Sequence, residues 1–251
     1  MTQDLVSIIT PAYACSKVIG QTISSVIKQT HSNWEMLIAD DCSPDETREV
    51  ILKWTQVEKR IHLITMSENG GPAIARNAAL ARAKGSWVAF LDSDDLWLPK
   101  KIENSIRFAE ELMAPLVYTG YRRITETGEN PGRYLRVPAS LNYWQLLGNT
   151  AIATSTVLID RRQVGDFRMK KTYYDDFDCW LRLLKTGRTA YGLNEDLMRY
   201  RVMRGSVSSN KLRSARMVWA NYREQQELGV APSVWYFSKY FIRALNKYHR
   251  W

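Results

Sequence analysis

Four strand-length runs, Val6–Thr10, Glu35–Ala39, Ile61–Thr65 and Trp87–Leu91, recur through the first part of the chain, and a helical pattern follows each of the first three. Val18, Ile19, Ile23, Val26 and Ile27 share one face of a helix that stops near Thr30–Asn33. Pro44–Val57 reads as a second helix with acids in its first turn, and Pro72–Ala83 as a third, with Pro at its first position and Gly85 as its C-terminal stop. Strands that alternate with helices at a spacing of roughly 25–30 residues predict βαβ units around a mainly parallel sheet. Beyond Leu116–Tyr118 the pattern loosens, through a turn at Thr127–Gly132, until helices are predicted at Asp175–Lys185, Lys211–Leu228 and Ser233–Tyr248.

An open parallel sheet binds ligands beyond the carboxyl ends of its strands. The segments there are Pro11-Ala12-Tyr13, Asp40-Asp41, Glu68–Pro72 and Asp92-Ser93-Asp94-Asp95. Three carboxylates in four residues beside a buried run repel one another, and a hard divalent cation, Mg²⁺ or Mn²⁺, relieves that repulsion. A helix cap needs one of these acids and not three. One Asp of the Asp40-Asp41 pair serves as a cap, and the other can accept from a base or ribose. Asn69–Asn77 is a Gly-rich turn running into a helix, where the backbone amides and Arg76 can face an anion, but it has neither the Walker lysine nor the dinucleotide glycine spacing. Spacing alone leaves Asp175 and Asp176 open between helix caps and a general base. Arg201 and Arg204, with the serines after them, suit either a diphosphate or an exposed loop. His31, His62 and His249 lie outside all these segments, so histidine-based nucleophilic catalysis has no support.

Charge is unevenly distributed. Of the formal net charge of +9, Arg199–Trp251 carries all of it, with 11 basic residues against Glu224 and Glu227, while the rest balances. Ten of the 28 aromatic residues lie in the same stretch. In a helix over Ser233–Trp251, Trp235, Phe241, Ile242 and Leu245 gather on one side, and Lys239, Arg243, Lys247 and Arg250 on another. That pattern fits an anionic membrane surface, or an apolar face packed on the rest of the protein. No apolar run approaches the ~18 residues of a spanning helix. The N-terminal stretch lacks a basic residue before its short apolar run, which predicts no signal peptide. Cys15, Cys42 and Cys179, unclustered and odd in number, point to a reduced compartment, the cytoplasm.

In order, Val6–Thr47, Glu68–Glu103, Tyr173–Leu184 and Tyr200–Lys211 resemble the family 2 glycosyltransferases, inverting nucleotide-sugar enzymes of the GT-A fold; LDSDDLW, Leu91–Trp97, is similar to that family's DxD segment. The resemblance implies an α/β fold, Rossmann-like, with a mainly parallel sheet, flanking helices and a C-terminal helical tail. It implies a catalytic domain over 1–210, with a nucleotide-sugar half at 1–115 and an acceptor half at 116–210, and basic aromatic helices at 211–251. By position it implies that Pro11, Ala12, Tyr13, Asp41, Arg76 and Asp92 hold the nucleoside diphosphate, most often of uridine, that Asp94 holds Mn²⁺ or Mg²⁺, and that Asp176 is the general base. Asp175 stands where the family more often has Glu. Many members carry a histidine where this chain has Met203, which leaves Arg201 or Arg204 for the diphosphate.

The whole chain most resembles bacterial enzymes that build O-antigen, capsule or teichuronic acid on a lipid-linked saccharide. That implies a peripheral location on the inner face of the cytoplasmic membrane and no nucleic-acid partner. Two other classes share some of these features. A sugar-phosphate nucleotidyltransferase also uses a parallel sheet and Mg²⁺, but usually with a basic Gly-rich loop after the first strand. A nucleic-acid-binding module would account for the basic tail but not for an acidic sheet mouth, which repels phosphates.

Overall fold

A computed structural model of the chain describes residues 4–172, 174–203 and 211–248. Its first half carries β1 (Val6–Ala12), α1 (Ile19–Ile27), β2 (Trp34–Asp40), α2 (Thr47–Val57), β3 (Ile61–Thr65), α3 (Pro72–Leu80), β4 (Trp87–Phe90), β5 (Leu96–Trp97) and α4 (Lys101–Glu111). Then come β6 (Leu116–Ile124), β7 (Tyr134–Leu135), β8 (Ser140–Leu141), α5 (Tyr143–Leu147), β9 (Leu158–Asp160), α6 (Arg161–Val164), α7 (Asp175–Lys185), β10 (Ala190–Arg201), α8 (Lys211–Ala220) and α9 (Val230–Tyr248). The main path of the sheet runs β3-β2-β1-β4-β9-β6-β10-β5, with β1 to β4 parallel and β9 inserted antiparallel between β4 and β6. The expected α/β architecture is present, with one sheet running through both halves.

Alternate side chains along the strands feed opposite cores, as the two-residue period of a strand requires. Ile8 packs with α1, α2 and α4 on one face through Ile19, Ile51 and Ile102, while Ile9 packs with α3 and α7 on the other through Ala75 and Trp180. Burial on both faces explains why β1 and β2 read as continuous apolar runs.

Several boundaries differ from the sequence reading for identifiable reasons. Pro11 and Ala12, expected in a loop, extend β1 in register with Ala39 and Asp40. The second helix starts at Thr47 rather than Pro44, because Asp45 accepts from the Thr47 N–H at 3.2 Å and the Ser16 N–H at 3.1 Å, which holds the chain in a turn. The third helix ends at Leu80, and Gly85 is a crossing point instead of its stop: a Cβ there would meet Leu5 O at 2.6 Å and Ser7 N at 2.7 Å. The helix expected over Lys211–Leu228 breaks after Ala220 into a π-helical turn, Asn221–Gln225, in which the Gln226 N–H donates to Asn221 O. Buried partners hold that turn, since the Gln226 amide donates to Asp178 and accepts from Tyr143. β10 was not foreseen, because Asn194-Glu195-Asp196 interrupts its apolar pattern where the strand changes register.

Helix α7 carries two candidate site residues, and its hold on the sheet centres on Trp180, fully buried and edge-on to Phe90 at 5.3 Å. Trp180→Ala should destabilise the fold by about 3–5 kcal/mol, the cost of emptying such a site. A urea midpoint within a tenth of the wild-type value would show that α7 is held elsewhere.

Candidate active site

The loops after the strands converge as the topology requires, but many of their polar groups bind one another. Asp40 is fully buried and takes the Ser43 N–H at 3.2 Å and Arg48 Nε at 3.0 Å. Asp41 is 3% exposed, and its two oxygens accept from the Gly70 and Gly71 amides, each at 2.8 Å. The Gly-rich turn therefore offers those two amides to Asp41 rather than to a ligand, and one lone pair per carboxylate oxygen remains for another donor. Gly71 sits at φ +88°, in the left-handed region that favours glycine, so Gly70 and Gly71 can curl around Asp41 just ahead of Pro72. Tyr13, just after β1, is half exposed.

Arg76 joins the two halves of the site. It is 6% exposed; Nη2 lies 2.7 Å from Asp92 Oδ1, after β4, and Nη1 lies 3.1 Å from Asp175 Oδ2, at the start of α7. Burial works against its charge, but Asp92, Asp175 and Asp176 outweigh burial and hold its pKa above the ordinary value. Asp175 fares differently. Burial pushes its carboxyl up to about 6, and Asp176 adds to the rise while Arg76 opposes it. One guanidinium answers several carboxylates, so the cation is amply compensated while Asp175 is compensated only in part. Asp176 Oδ2 accepts from the Thr154 hydroxyl at 2.5 Å and Oδ1 from the Phe177 N–H at 2.7 Å. The neighbouring Ser155 takes the Asp92 N–H on its hydroxyl and Trp97 Nε1 on its carbonyl. Thr154 and Ser155 thus tie the acids after β4 to those of α7. They lie in an ordinary Thr-Ser-Thr stretch that carried no sequence signal, and only the fold makes them part of the site.

The acids after β4 divide their roles. Asp95 is buried and accepts from the Arg201 N–H at 2.9 Å, and burial holds its carboxyl well above the usual range. Asp94 is raised to about 6, by burial first and then by Asp92. The expected diphosphate role of Arg201 needs correction. At 2% exposed, Arg201 donates from Nε to Asp94 O at 2.7 Å, from Nη1 to Glu126 O at 2.8 Å and from Nη2 to Gln21 Oε1 at 2.7 Å. It is a bolt between loops, and its position in β10 points it inward. Arg204 lies outside the described residues.

No three His, Cys, Asp or Glu gather as a metal cage among the described residues. The donors present still fit a hard cation: Asp94 carries an incompletely compensated carboxylate, and Mg²⁺ or Mn²⁺ commonly takes one or two carboxylates and completes its shell with phosphate oxygens and water.

A Rossmann-like sheet with acidic loops converging at the carboxyl ends of its strands has the architecture of the GT-A fold, shared by the solved structures described below. The chain belongs to the family described as Glycosyl transferase family 2, which it matches over residues 7–177, and it is a glycosyltransferase. It is 43% identical over 244 residues to TuaG of Bacillus subtilis, named for teichuronic acid biosynthesis, covering 97% of each chain. It is 34% identical over 249 residues to WfgD of Escherichia coli, a UDP-Glc:α-D-GlcNAc-diphosphoundecaprenol β-1,3-glucosyltransferase, covering 99% of this chain and 96% of that one. Solved structures share the fold at low identity. TarS of S. aureus with UDP-GlcNAc superposes with a TM-score of 0.71 at 17% identity, covering 95% of this chain and 72% of that one. A Pyrobaculum calidifontis mannosyltransferase with GDP-Man and Mn²⁺ gives 0.71 at 15%, covering 95% and 69%. Family membership displaces the nucleotidyltransferase reading of the sequence.

The environment of Asp175 sets a pH dependence. Its folded pKa of about 6 lies above an unfolded value of about 3.9. The folded state therefore holds this proton more tightly, and the Asp175 contribution to stability falls as pH rises from about 4 to about 6. Asp175→Asn should flatten that part of the profile in urea unfolding. An unchanged slope would mean that the Arg76 pair fully compensates Asp175.

Proposed function

We propose that this protein is an inverting transferase that moves a sugar from a UDP-sugar to a lipid-linked saccharide in bacterial surface polysaccharide synthesis. The observation that carries the reading is the Arg76 bridge, which brings Asp92 of the donor-side loops against Asp175, next to Asp176, in one acidic mouth. The relatives support the substrate classes: WfgD is named for a UDP-sugar donor and a diphosphoundecaprenol acceptor, and TarS holds UDP-GlcNAc. Pro11, Ala12, Tyr13 and Asp41 line the nucleoside end, with Tyr13 as the stacking face. Asp92 and Arg76 lie towards the ribose and phosphates, and Arg204 is the candidate diphosphate cation.

In this reading Asp176 takes the proton of the acceptor hydroxyl as its oxygen attacks the anomeric carbon in line. The bond from that carbon to the diphosphate breaks, and its electron pair leaves on the phosphate oxygen. The Thr154 hydroxyl and Phe177 N–H fix the carboxylate's orientation for that transfer. Asp94 would hold Mn²⁺ or Mg²⁺, which when bound supplies neutralising charge for the departing diphosphate. Asp176→Asn should lower turnover about 10²-fold or more while donor affinity stays near wild type, because only the proton acceptor is removed. Normal turnover of that variant with UDP-sugar and lipid-linked acceptor would return Asp176 to a helix-capping role.

The acceptor class also fits α9. Tyr236, Phe237 and Tyr240 pack against the core, so the helix is part of the domain. On the outer side Trp235 is 58%, Phe241 52% and Ile242 59% exposed, with Lys239 lying over the Trp235 ring at 4.4 Å. An exposed aromatic face flanked by basic residues is suited to the headgroup layer of an anionic membrane. Among the described residues no helix is long and apolar enough to cross a membrane. Changing Trp235, Phe241 and Ile242 together to Ser should reduce sedimentation with phosphatidylglycerol vesicles more than tenfold and leave donor hydrolysis intact. These positions avoid the packed face, so undiminished vesicle binding by a folded variant would dismiss the membrane contact.

A further inference from the structure

From the end of α5 the chain reaches Asp176 through one short segment, residues 148–154, most of it without regular structure. Side chains from other elements hold both of its ends. At one end the Thr154 hydroxyl donates to Asp176 Oδ2 at 2.5 Å. At the other, Gly148 closes α5, where helix carbonyls lack intrahelical partners and a cation is favoured. Arg243 of α9 supplies that cation, donating from Nη1 to Gly148 O at 2.8 Å. Between the two ends, the Thr150 side chain is hydrogen-bonded to the phenol of Tyr174, the residue before Asp175.

Helix α9 lies so close to this segment that little slack remains. A Cβ on Gly148 would come within 3.2 Å of Lys239 Cβ and 3.5 Å of Lys239 Cδ. The glycine serves that close approach and not its backbone angle, because its φ of −89° is open to any residue. Trp144 of α5 stacks on Tyr236 of α9 with ring centroids 6.3 Å apart, and Tyr240 is near enough to Tyr174 to act on its phenol. Arg243 itself is exposed, so its hydrogen bond can be removed without opening the core.

We propose that Arg243 is a positioning residue for the transfer: by fixing Gly148 O it sets residues 148–154 and, through Thr154, the direction of the Asp176 carboxylate. The assignment rests on the transferase reading, in which Asp176 takes the acceptor proton. The brace belongs to the same helix that exposes Trp235, Phe241 and Ile242, so the element suited to a membrane surface also supports the chemistry.

The test is a double-mutant cycle on the full chain without vesicles, using UDP-glucose and a short-chain, water-soluble form of the diphospholipid-linked GlcNAc that WfgD is named for. Arg243→Ala should lower kcat about tenfold, the scale of one charge-assisted hydrogen bond, with the KM for UDP-glucose unchanged. Thr154→Val should do the same, and the double variant should be no slower than Thr154→Val alone, because both changes act on one contact. Arg243→Lys, which keeps a donor, should recover most of the rate. Backbone hydrogen exchange over residues 148–154 should quicken in Arg243→Ala while that of α4 stays as it is. An unchanged kcat in Arg243→Ala, or full additivity with Thr154→Val, overturns the role, since the buried Ile152 would then set Thr154 by packing alone. Failure of the transferase reading is separable. A wild type that transfers nothing, but whose 148–154 amides exchange faster after Arg243→Ala, keeps the brace and loses the reaction; unchanged exchange loses the brace as well.

Discussion

A buried guanidinium is tolerable only where carboxylates meet it, and the ion pairs of Arg76 govern how this molecule is assembled. Removing a charged group from water costs several kcal/mol, so Arg76 in α3 fixes the position of Asp92 after β4 and of Asp175 at the head of α7. The first belongs to the parallel half of the sheet and the second to the half reached through β9 and β6. Burial raises the Asp175 carboxyl, and Arg76, shared with Asp92, opposes that rise without cancelling it. Packing reinforces the join where Trp180 of α7 lies edge-on to Phe90 of β4.

Around that bridge the loops are tied by side-chain to backbone bonds, which convert flexible sequence into a preorganised mouth. Asp41 draws the Gly70-Gly71 turn towards the end of β2, Arg201 bolts β10 to the acids after β4, and Thr154 orients Asp176. A ligand arriving here meets groups already held in place, and less ordering entropy is lost on binding. Polar groups that the fold leaves idle stand out against this background. The Asn221 amide is one of them, although its neighbours Tyr222 and Gln226 are hydrogen-bonded.

The C-terminal helices show how one amphipathic pattern serves two purposes. In α9, the face bearing Tyr236, Phe237 and Tyr240 closes one core, while Trp235, Phe241 and Ile242 remain outside. Packing and surface exposure are both satisfied because the aromatic residues occupy more of the helix circumference than a single contact can cover.

The parallel half of the sheet was legible in the chain because its strands are buried on both faces and read as unbroken apolar runs, and the acidic loops after them follow from where such strands must end. Asp92, Asp94, Asp175 and Asp176 could be picked out for the same reason: clustered charge beside apolar sequence is conspicuous. β9 and β10 were not legible, since a three-residue strand has no period and Asn194-Glu195-Asp196 interrupts the longer one at its register shift. The sequence by itself thus determined the fold class, the family and the acids available for chemistry, because those depend on local periodicity and on residue type. Only the tertiary structure decided that Arg201 is a bolt, that Asp41 holds a glycine turn, and that Thr154 meets Asp176, because the partners lie 22 to 180 residues apart and their distances are set by packing.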